Sequence, residues 1–497
     1  MNSWDDPSDE ETPLSRLDWT LIGLYLVAAL SGYILLHGIY RPENMDDAIF
    51  LSFAHNHVVR GMEGDLCFGA TAGSGGYGGV TFFGKTFTYL YGYLLNFLGW
   101  TKGHAHLIST FIIFFAAITW VAILKQLGFS RRLTVFFGLA LLIVEPFFSA
   151  ANQARPDALV FLLATLALLC SVRGWFVAAG FLAAVSMEIH PVGIIAFLWA
   201  TGAAIAMRWS APQPKRFPGG TMGLQLALGV ALGVLYYLAL HHRNLAALSG
   251  AVSGGNVGGV YSILIEYFFK TKHYRHLPEL ALFLSCLLWF LGKRLYRTNR
   301  FIPAFLLATL AFATIIRRPS FMYMLYVYPA LLLLVLWTFE RSRHLRTIMI
   351  LWLLYLLPQY AWVYAQNHGW NLSQYVAQVQ QAVPSDKTPV VGRFNDWFAF
   401  MNRSFYGLDY GGDFRNLGLR EFYLIEDDAY RQGKYPQMQA AIGSLYTSKE
   451  VSRFNGRGEM VVIKKFISCQ TRTGDSAKSY FLQKTASVPW PLPSFLP

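Results

Sequence analysis

The sequence predicts a mainly α-helical protein, a polytopic bundle of membrane helices followed by a small α/β domain. Of its 497 residues, 54% are hydrophobic and only 14% are charged, and the mean hydropathy is +0.37. A soluble protein of this size carries charge on roughly a quarter of its residues. Disordered and collagen-like chains are excluded by the same figures. A disulfide-stapled small domain is excluded because only four cysteines are spread over the chain.

Apolar runs of spanning length are the main signal for the bundle. About 20 apolar residues cross a bilayer core as a helix, and runs close to this length recur along the chain. We predict about eleven transmembrane helices, at 19–37, 104–124, 133–150, 157–172, 174–190, 192–207, 220–240, 277–292, 301–316, 320–338 and 347–366. They form a transmembrane module over 19–367.

The first run follows an acidic tail, residues 1–18, with most of its acids between Asp5 and Glu11. A cleavable signal peptide begins with basic residues instead. We therefore predict that this helix is retained.

Lysine and arginine predict the orientation, because cytoplasmic loops are enriched in them. With the N-terminus in the cytoplasm, the short inner loops contain the basic clusters at 125–132, 173, 208–216, 293–300 and 341–346. The net charge of +13 is then explained by membrane topology. Nucleic acid is not predicted as a partner.

Residues 86–99 are apolar, but counting them as a span would move every later basic cluster to the outside. We predict that they form an amphipathic helix in the outer membrane interface, where tyrosine is favoured. They lie in a long first outer loop, 38–103. The polar segment 368–497 is predicted as an α/β domain outside the membrane, with strands at Thr388–Phe394, Glu421–Ile425 and Met460–Ile467.

Two acidic groups on the outer side are candidates for chemistry. Asp46 and Asp47 precede an amphipathic run, where acids also stabilise a helix N-terminus; the alternative is a general base or a metal ligand at the membrane face. Asp157 follows Arg155 and Pro156, which is typical of a helix start, but an arginine there can also neutralise a carboxylate or bind a phosphate.

Further ionisable residues lie near the outer ends of predicted spans, where burial is costly unless they face a cavity or a partner. These are Glu145, Glu188 and His190. The outer basic residues are either lipid-facing or part of a site for a lipid-linked phosphate. They are Lys85, Arg243, Lys270, Lys272, Arg317 and Arg318.

In their order and common side, these motifs resemble the GT-C superfamily of membrane glycosyltransferases. The most similar branch contains the protein O-mannosyltransferases and the aminoarabinose transferase of lipid A. The matching features follow in chain order: Asp46-Asp47 with Ala48 and Ala54, Lys85 with Phe97-Leu98-Gly99, Arg155 with Asp157, Gly180–Ala183 leading to His190, and Arg317-Arg318 with Tyr323, Tyr326, Tyr328 and Pro329. Thr86-Phe87 replace two prolines that usually follow the lysine, and Asp47 replaces a commoner glutamate.

The resemblance implies a transferase that uses a sugar on a polyprenyl phosphate at the outer face of a cell inner membrane. Asp46 would act as general base in an inverting reaction, with Asp47 and Asp157 in the catalytic group. Substrate binding would fall to Lys85, Arg155, Glu188, His190, Arg243, Arg317, Arg318 and Tyr323. No essential cofactor is expected, although a divalent metal is possible. The acceptor would be a lipid, a glycan or a protein.

Two other classes of function remain open at the level of sequence. A transporter or flippase of a lipid-linked sugar would also place polar residues at the outer ends of its spans, although we find neither paired halves nor matching interrupted helices. A noncatalytic member of the same superfamily is the third alternative, and the presence of both Asp46 and Asp157 disfavours it.

Overall fold

The computed structural model describes residues 14–36, 46–61, 84–210, 219–242, 266–270, 276–316, 321–368, 372–408, 419–443, 445–456 and 459–469. The chain divides into two compact units. The membrane unit comprises residues 1–41 and 81–371, and the C-terminal unit comprises 42–80 and 372–497. The C-terminal unit therefore includes part of the first outer loop, which the sequence analysis had assigned to the transmembrane module.

The membrane unit is built from helices. They are α1 (Arg16–Leu36), α3 (Lys85–Leu98), α4 (Lys102–Gln126), α5 (Arg131–Ile143), α6 (Glu145–Ala151), α7 (Pro156–Val172), α8 (Phe176–Ile189), α9 (Ile194–Ser210), α10 (Gly219–His241), α11 (Leu277–Gly292), α12 (Phe301–Ile315), α13 (Met324–Arg341) and α14 (Leu345–Asn367). Helix α2 (Asp46–Arg60) belongs to the C-terminal unit.

The mainly helical membrane fold is confirmed. Among the described residues, six helices are long and apolar enough to cross a membrane, and α5 with α6, bent by 59°, would make a seventh. Four shorter apolar helices are α7, α8, α11 and α12. An apolar helix thus lies at each of the eleven predicted segments. The number that cross the membrane stays a prediction.

The bend between α5 and α6 has a local cause. Val144 is extended, with φ −80° and ψ 145°, and Pro146 follows within the first turn of α6. Proline lacks an N–H and cannot continue the hydrogen-bond pattern of the preceding helix. It therefore begins a new helix and turns the chain.

Small residues bring α8 and α10 unusually close. A Cβ atom on Gly180 would lie 2.3 Å from the carbonyl oxygen of Leu226, and one on Gly229 would lie 2.1 Å from that of Val177. Close backbone approach through small residues is a common way for membrane helices to associate. The two helices run parallel, so their C-terminal ends meet at the same end of the bundle.

Helix α3 has the size expected of the predicted 86–99 helix. Its 14 residues span about 21 Å, less than the roughly 30 Å of a bilayer core. Phe87, Tyr91 and Leu95 are buried on one face, whereas Tyr93 and Phe97 are exposed. The amphipathic character of the helix is confirmed. Its place in the outer membrane interface stays a prediction.

The C-terminal unit contains a five-stranded sheet of order β2-β1-β3-β5-β4. The strands are β1 (Val390–Gly392), β2 (Phe405–Gly407), β3 (Glu421–Glu426), β4 (Tyr446–Gly456) and β5 (Glu459–Ser468), and the helices are α2, α15 (Leu372–Ala382), α16 (Asp428–Arg431) and α17 (Pro436–Gly443). Strand β1 is parallel to β2 and β3, and β5 is antiparallel to β3 and β4. The three predicted strands are confirmed. Two strands were not predicted: β2, which is only three residues long, and β4, which is mostly polar and exposed.

A buried aspartate joins three helices at the opposite end of the bundle from the C-termini of α8 and α10. Both oxygens of Asp18, on α1, accept hydrogen bonds of 2.8 Å from Arg346 at the start of α14. The Arg132 guanidinium, at the start of α5, lies 3.3 Å from the same carboxylate. The sequence predicts that the segment before α1 and the basic loops before α5 and α14 lie on the same side of the membrane. In the structure, these three segments lie at one end of the bundle.

We expect Asp18→Asn to destabilise the membrane unit, because it removes the negative charge that faces two arginines. The arginines keep 29% and 37% of their side chains exposed, so the loss should be about 2 kcal/mol rather than the larger value of a fully buried pair. Thermal unfolding of the detergent-purified protein measures it. Arg131→Gln, a change at an exposed neighbour, should leave the transition where it is; equal unfolding temperatures for Asp18→Asn and wild type would contradict the prediction.

Candidate functional site

Six of the predicted site residues lie close to one another in the membrane unit. They are Lys85, Arg155, Asp157, Glu188, His190 and Tyr323. They come from the start of α3, the start of α7, the end of α8 and the segment before α13. We call this group the polar end of the membrane unit. Arg243, Arg317 and Arg318 lie outside the described residues.

Asp157 is held by an arginine and a tyrosine. Its side chain is 1% exposed, and its Oδ2 accepts a hydrogen bond of 2.8 Å from Nε of Arg155. The hydroxyl of Tyr326 lies 3.2 Å from the backbone oxygen of Asp157 and 3.4 Å from Oδ1. A buried carboxylate needs such partners to stay charged. The pair therefore fixes the Arg155 guanidinium at the start of α7.

His190 connects α8 with the aromatic side chains before α13. It ends α8 in an extended conformation, and its Nδ1 accepts a hydrogen bond of 3.3 Å from the N–H of Val192. Its ring lies 6.4 Å from that of Tyr323, which lies 6.3 Å from that of Tyr326. His190 is also close enough to Asp157 to interact with it electrostatically.

Glu188 joins the start of α3 to the end of α8. One carboxylate oxygen accepts the N–H of Lys85 at 2.9 Å, and the other accepts that of Thr86 at 3.3 Å. The backbone oxygen of Glu188 accepts the N–H of Gly84 at 2.7 Å. The first N–H groups of a helix have no partner within it, and a carboxylate there also favours the helix dipole. Glu188 therefore caps α3 from another helix.

His241, at the end of α10, completes this arrangement. Its Nε2 lies 3.0 Å from the same oxygen of Glu188 that accepts the Lys85 N–H, and both side chains are at most 1% exposed. The ring of His241 stacks on Tyr237 at 4.5 Å. His241 is not among the predicted site residues, because nothing in its neighbourhood in the chain indicates Glu188 as its partner.

Lys85 is a buried cation at the start of α3. Only 4% of the residue is exposed, and its Nζ donates a hydrogen bond of 2.9 Å to the backbone oxygen of Leu240. That oxygen belongs to the last turn of α10, where the helix dipole favours positive charge. The next residue, Thr86, shares a hydrogen bond of 2.8 Å with Tyr236. Gly84 precedes Lys85 with a φ of 81°, a conformation that suits glycine.

Glu145, which is partly exposed, belongs to a second polar group in the membrane unit, around the buried His276. Nε2 of His276 lies 3.1 Å from a Glu145 oxygen, and Nδ1 lies 3.4 Å from a Glu279 oxygen. Tyr267 stacks on the His276 ring at 4.0 Å. The two carboxylates lie at opposite nitrogens, so the imidazole separates them. Among the described residues, no three histidine, cysteine or carboxylate side chains are placed to share a metal ion.

Asp46 and Asp47 lie in the other unit, in the first turn of α2. Asp47 is buried and Asp46 is partly exposed. Both therefore occupy the N-terminal position at which acids stabilise a helix. This placement agrees with the structural interpretation of the pair and is compatible with the functional one.

The remainder of α2 packs on the C-terminal domain. Arg60 donates a hydrogen bond of 2.7 Å from Nη2 to the backbone oxygen of Met401. The ring of His55 meets Trp397 edge-on at 5.8 Å. Burial, with a further contribution from the Arg60 charge, lowers the pKa of His55 from 6.5 to about 4. His55 is therefore neutral at pH 7 in the folded protein.

The sequence matches no protein-family model and no curated protein. The fold, however, is similar to that of ArnT from Cupriavidus metallidurans. The apo form aligns with a TM-score of 0.61 and 14% identity, over 90% of this chain and 98% of that chain. ArnT bound to undecaprenyl phosphate aligns with a TM-score of 0.56 and 13% identity over the same shares. The helical membrane fold predicted from the sequence is thus shared with ArnT.

We expect Glu188→Ala to be more destabilising than Glu188→Gln. Alanine leaves two buried N–H groups and His241 without their acceptor, at a cost of roughly 1–3 kcal/mol for each unsatisfied group, whereas glutamine keeps one acceptor oxygen. Thermal unfolding in detergent gives the order. Met187→Ala, an adjacent change at an exposed side chain, is the matched control and should change little. A Glu188→Ala protein as stable as the Glu188→Gln protein would show that the cap is not needed.

We expect the C-terminal unit to lose stability as the pH falls from 6.5 to about 4. In this window the unfolded chain protonates His55 while the folded chain keeps it neutral, so the unfolded state binds more protons. The contribution is roughly 1.4 kcal/mol per pH unit. Urea unfolding followed through this range measures the slope, and His55→Gln should reduce it by that amount. A slope unchanged by His55→Gln would refute the assignment.

Proposed function

We propose that the chain is a glycosyltransferase that moves a sugar from a polyprenyl-phosphate donor to an acceptor hydroxyl at the outer face of a membrane. The observation that carries the proposal is the polar end of the membrane unit. Ionisable side chains from four separate segments of the chain are brought to one end of an apolar bundle whose fold is similar to that of ArnT. Ionisable groups in membrane segments are costly and usually functional.

A lipid-linked donor explains why the polar end lies at the end of the bundle. The polyprenyl chain stays in the bilayer, so the phosphate and the sugar can only be presented at its boundary. The similar ArnT structure is bound to undecaprenyl phosphate, and we propose a ligand of this class here. The donor is then used at the outer face of the inner membrane, with the N-terminus in the cytoplasm and the C-terminal unit on the extracytoplasmic side.

In the proposed reaction, Asp46 acts as the general base. An acceptor hydroxyl oxygen forms a bond to the anomeric carbon with inversion, while its proton passes to the Asp46 carboxylate. The bond from that carbon to the phosphate oxygen breaks, and its electron pair stays on the leaving polyprenyl phosphate. Asp47, buried beside it, is proposed to support Asp46. The acceptor hydroxyl belongs to a lipid, a glycan or a protein.

Basic groups are proposed to stabilise the departing phosphate. Its developing charge benefits from positive groups that are already in position. Lys85 is oriented by the α10 carbonyl of Leu240, and Arg155 by Asp157. This gives Asp157 the role of orienting an arginine, while His190 and Tyr323 line the same region. Arg243, Arg317 and Arg318 are proposed as further phosphate ligands, and no essential metal is proposed.

Transfer from labelled polyprenyl-phosphate sugars by purified protein, with cell extract as the source of acceptor, tests the proposal. We expect Asp46→Asn to lower the rate by roughly 10²–10⁴-fold, because the general base is lost. Its thermal unfolding and membrane insertion should match wild type. Glu450→Gln, which removes an exposed carboxylate from strand β4, is the control and should keep full activity. Addition of EDTA should not abolish transfer.

Other results would favour the rival functions. Full transfer by both Asp46→Asn and Asp157→Asn would refute the assigned acids. Movement of a sugar-lipid across sealed vesicles, without a new covalent product, would instead identify a flippase. Binding of the donor without either activity would identify a noncatalytic protein.

A further inference from the structure

The segment after strand β1 is buried and held by several hydrogen bonds in the C-terminal unit. A 3-10 helix, Phe394–Ala399, begins two residues after β1 ends. Its Asp396 is buried, accepting a hydrogen bond of 2.8 Å from the Tyr375 hydroxyl and one of 3.0 Å from the N–H of Arg393. Gln380 on α15 donates to the backbone oxygen of Ala399 at 3.0 Å. We call residues 394–402 the platform.

Helix α2 lies on this platform. It packs against the 3-10 helix, with the edge-on contact of His55 to Trp397 and the hydrogen bond from Arg60 to Met401 at 2.7 Å. Asn402 also contributes a hydrogen bond to His55. Trp397 is among the largest fully buried side chains. These contacts lie in the C-terminal half of α2.

The acid pair lies at the other end of the same helix. Nine residues separate Asp46 from His55, which is about 13 Å along a helix axis. A tilt of only about 5° at the supported end would move Asp46 by about 1 Å on this lever. A displacement of this size is enough to reduce a positioned reaction about 10²-fold.

We propose that the platform of the C-terminal domain positions the acid pair Asp46-Asp47, with Trp397 as the main positioning residue. The inference rests on the proposed function and extends it, because it gives the C-terminal domain a part in the reaction. Donor binding is assigned to residues of the membrane unit, so loss of the platform contact should lower kcat and leave the KM for the donor nearly unchanged.

Trp397→Ala tests the proposal, with two measurements on the full-length protein in detergent. Hydrogen exchange of the peptides that cover 46–60 should become at least 10-fold faster, while those covering β3 and β5 stay protected. The kcat should fall at least 10-fold, with the donor KM within about 2-fold of wild type. Trp397→Phe, which retains an aromatic ring, should restore much of the protection from hydrogen exchange and much of the kcat.

Phe466→Ala is the matched control for general weakening of the domain. Phe466 is a core residue that stacks on Phe422 at 5.1 Å, in the cluster around β3 and β5. Phe466→Ala should lower the unfolding temperature of the unit. Its kcat should equal that of wild type when the assay is run below that temperature. Unchanged exchange of 46–60 in Trp397→Ala, or an equal loss of kcat in Phe466→Ala, would overturn the inference. If Asp46→Asn retains full transfer, the assignment of the base fails, and the exchange measurement still decides whether the platform holds α2.

Discussion

Charged and polar groups inside an apolar bundle must be paired, because neither lipid nor buried protein can solvate them. In the membrane unit this requirement is met by contacts between helices far apart in the chain. Glu188 is the central example, since one carboxylate satisfies two N–H groups at the start of α3 and the imidazole at the end of α10. A single side chain thereby ties three helices together at the polar end.

The same constraint operates elsewhere in the membrane unit. Asp18 joins α1, α5 and α14 through two arginines, and His276 lies between Glu145 and Glu279. Each group gains its partners only when the bundle is assembled. The polar end differs from the other two because it combines two cations, Lys85 and Arg155, with tyrosine and histidine rings. This is the composition that a phosphate-bearing ligand at a membrane boundary would need.

The C-terminal unit carries the acid pair Asp46-Asp47 on helix α2. Helix α2 is separated from residues 372–497 by some 300 residues of chain, yet belongs to the same compact unit. A long stretch of chain between two parts of one unit adds little entropic cost per residue, because closure entropy grows only slowly with loop length. The C-terminal domain therefore packs against a helix that carries two of the predicted catalytic acids.

The sequence by itself determined the class of fold, the approximate position of each apolar helix within the described residues, and three of the five strands of the sheet. These follow from the length and period of apolar runs, which are local properties. It also identified most residues of the polar end, because ionisable side chains at the ends of apolar runs are conspicuous. The tertiary structure alone decided their distant partners: that Glu188 caps α3, that His241 joins it, that Tyr326 contacts Asp157, and that α2 packs on Trp397. Each of these contacts joins residues that are far apart in the chain. No local sequence pattern indicates which buried donor pairs with which buried acceptor.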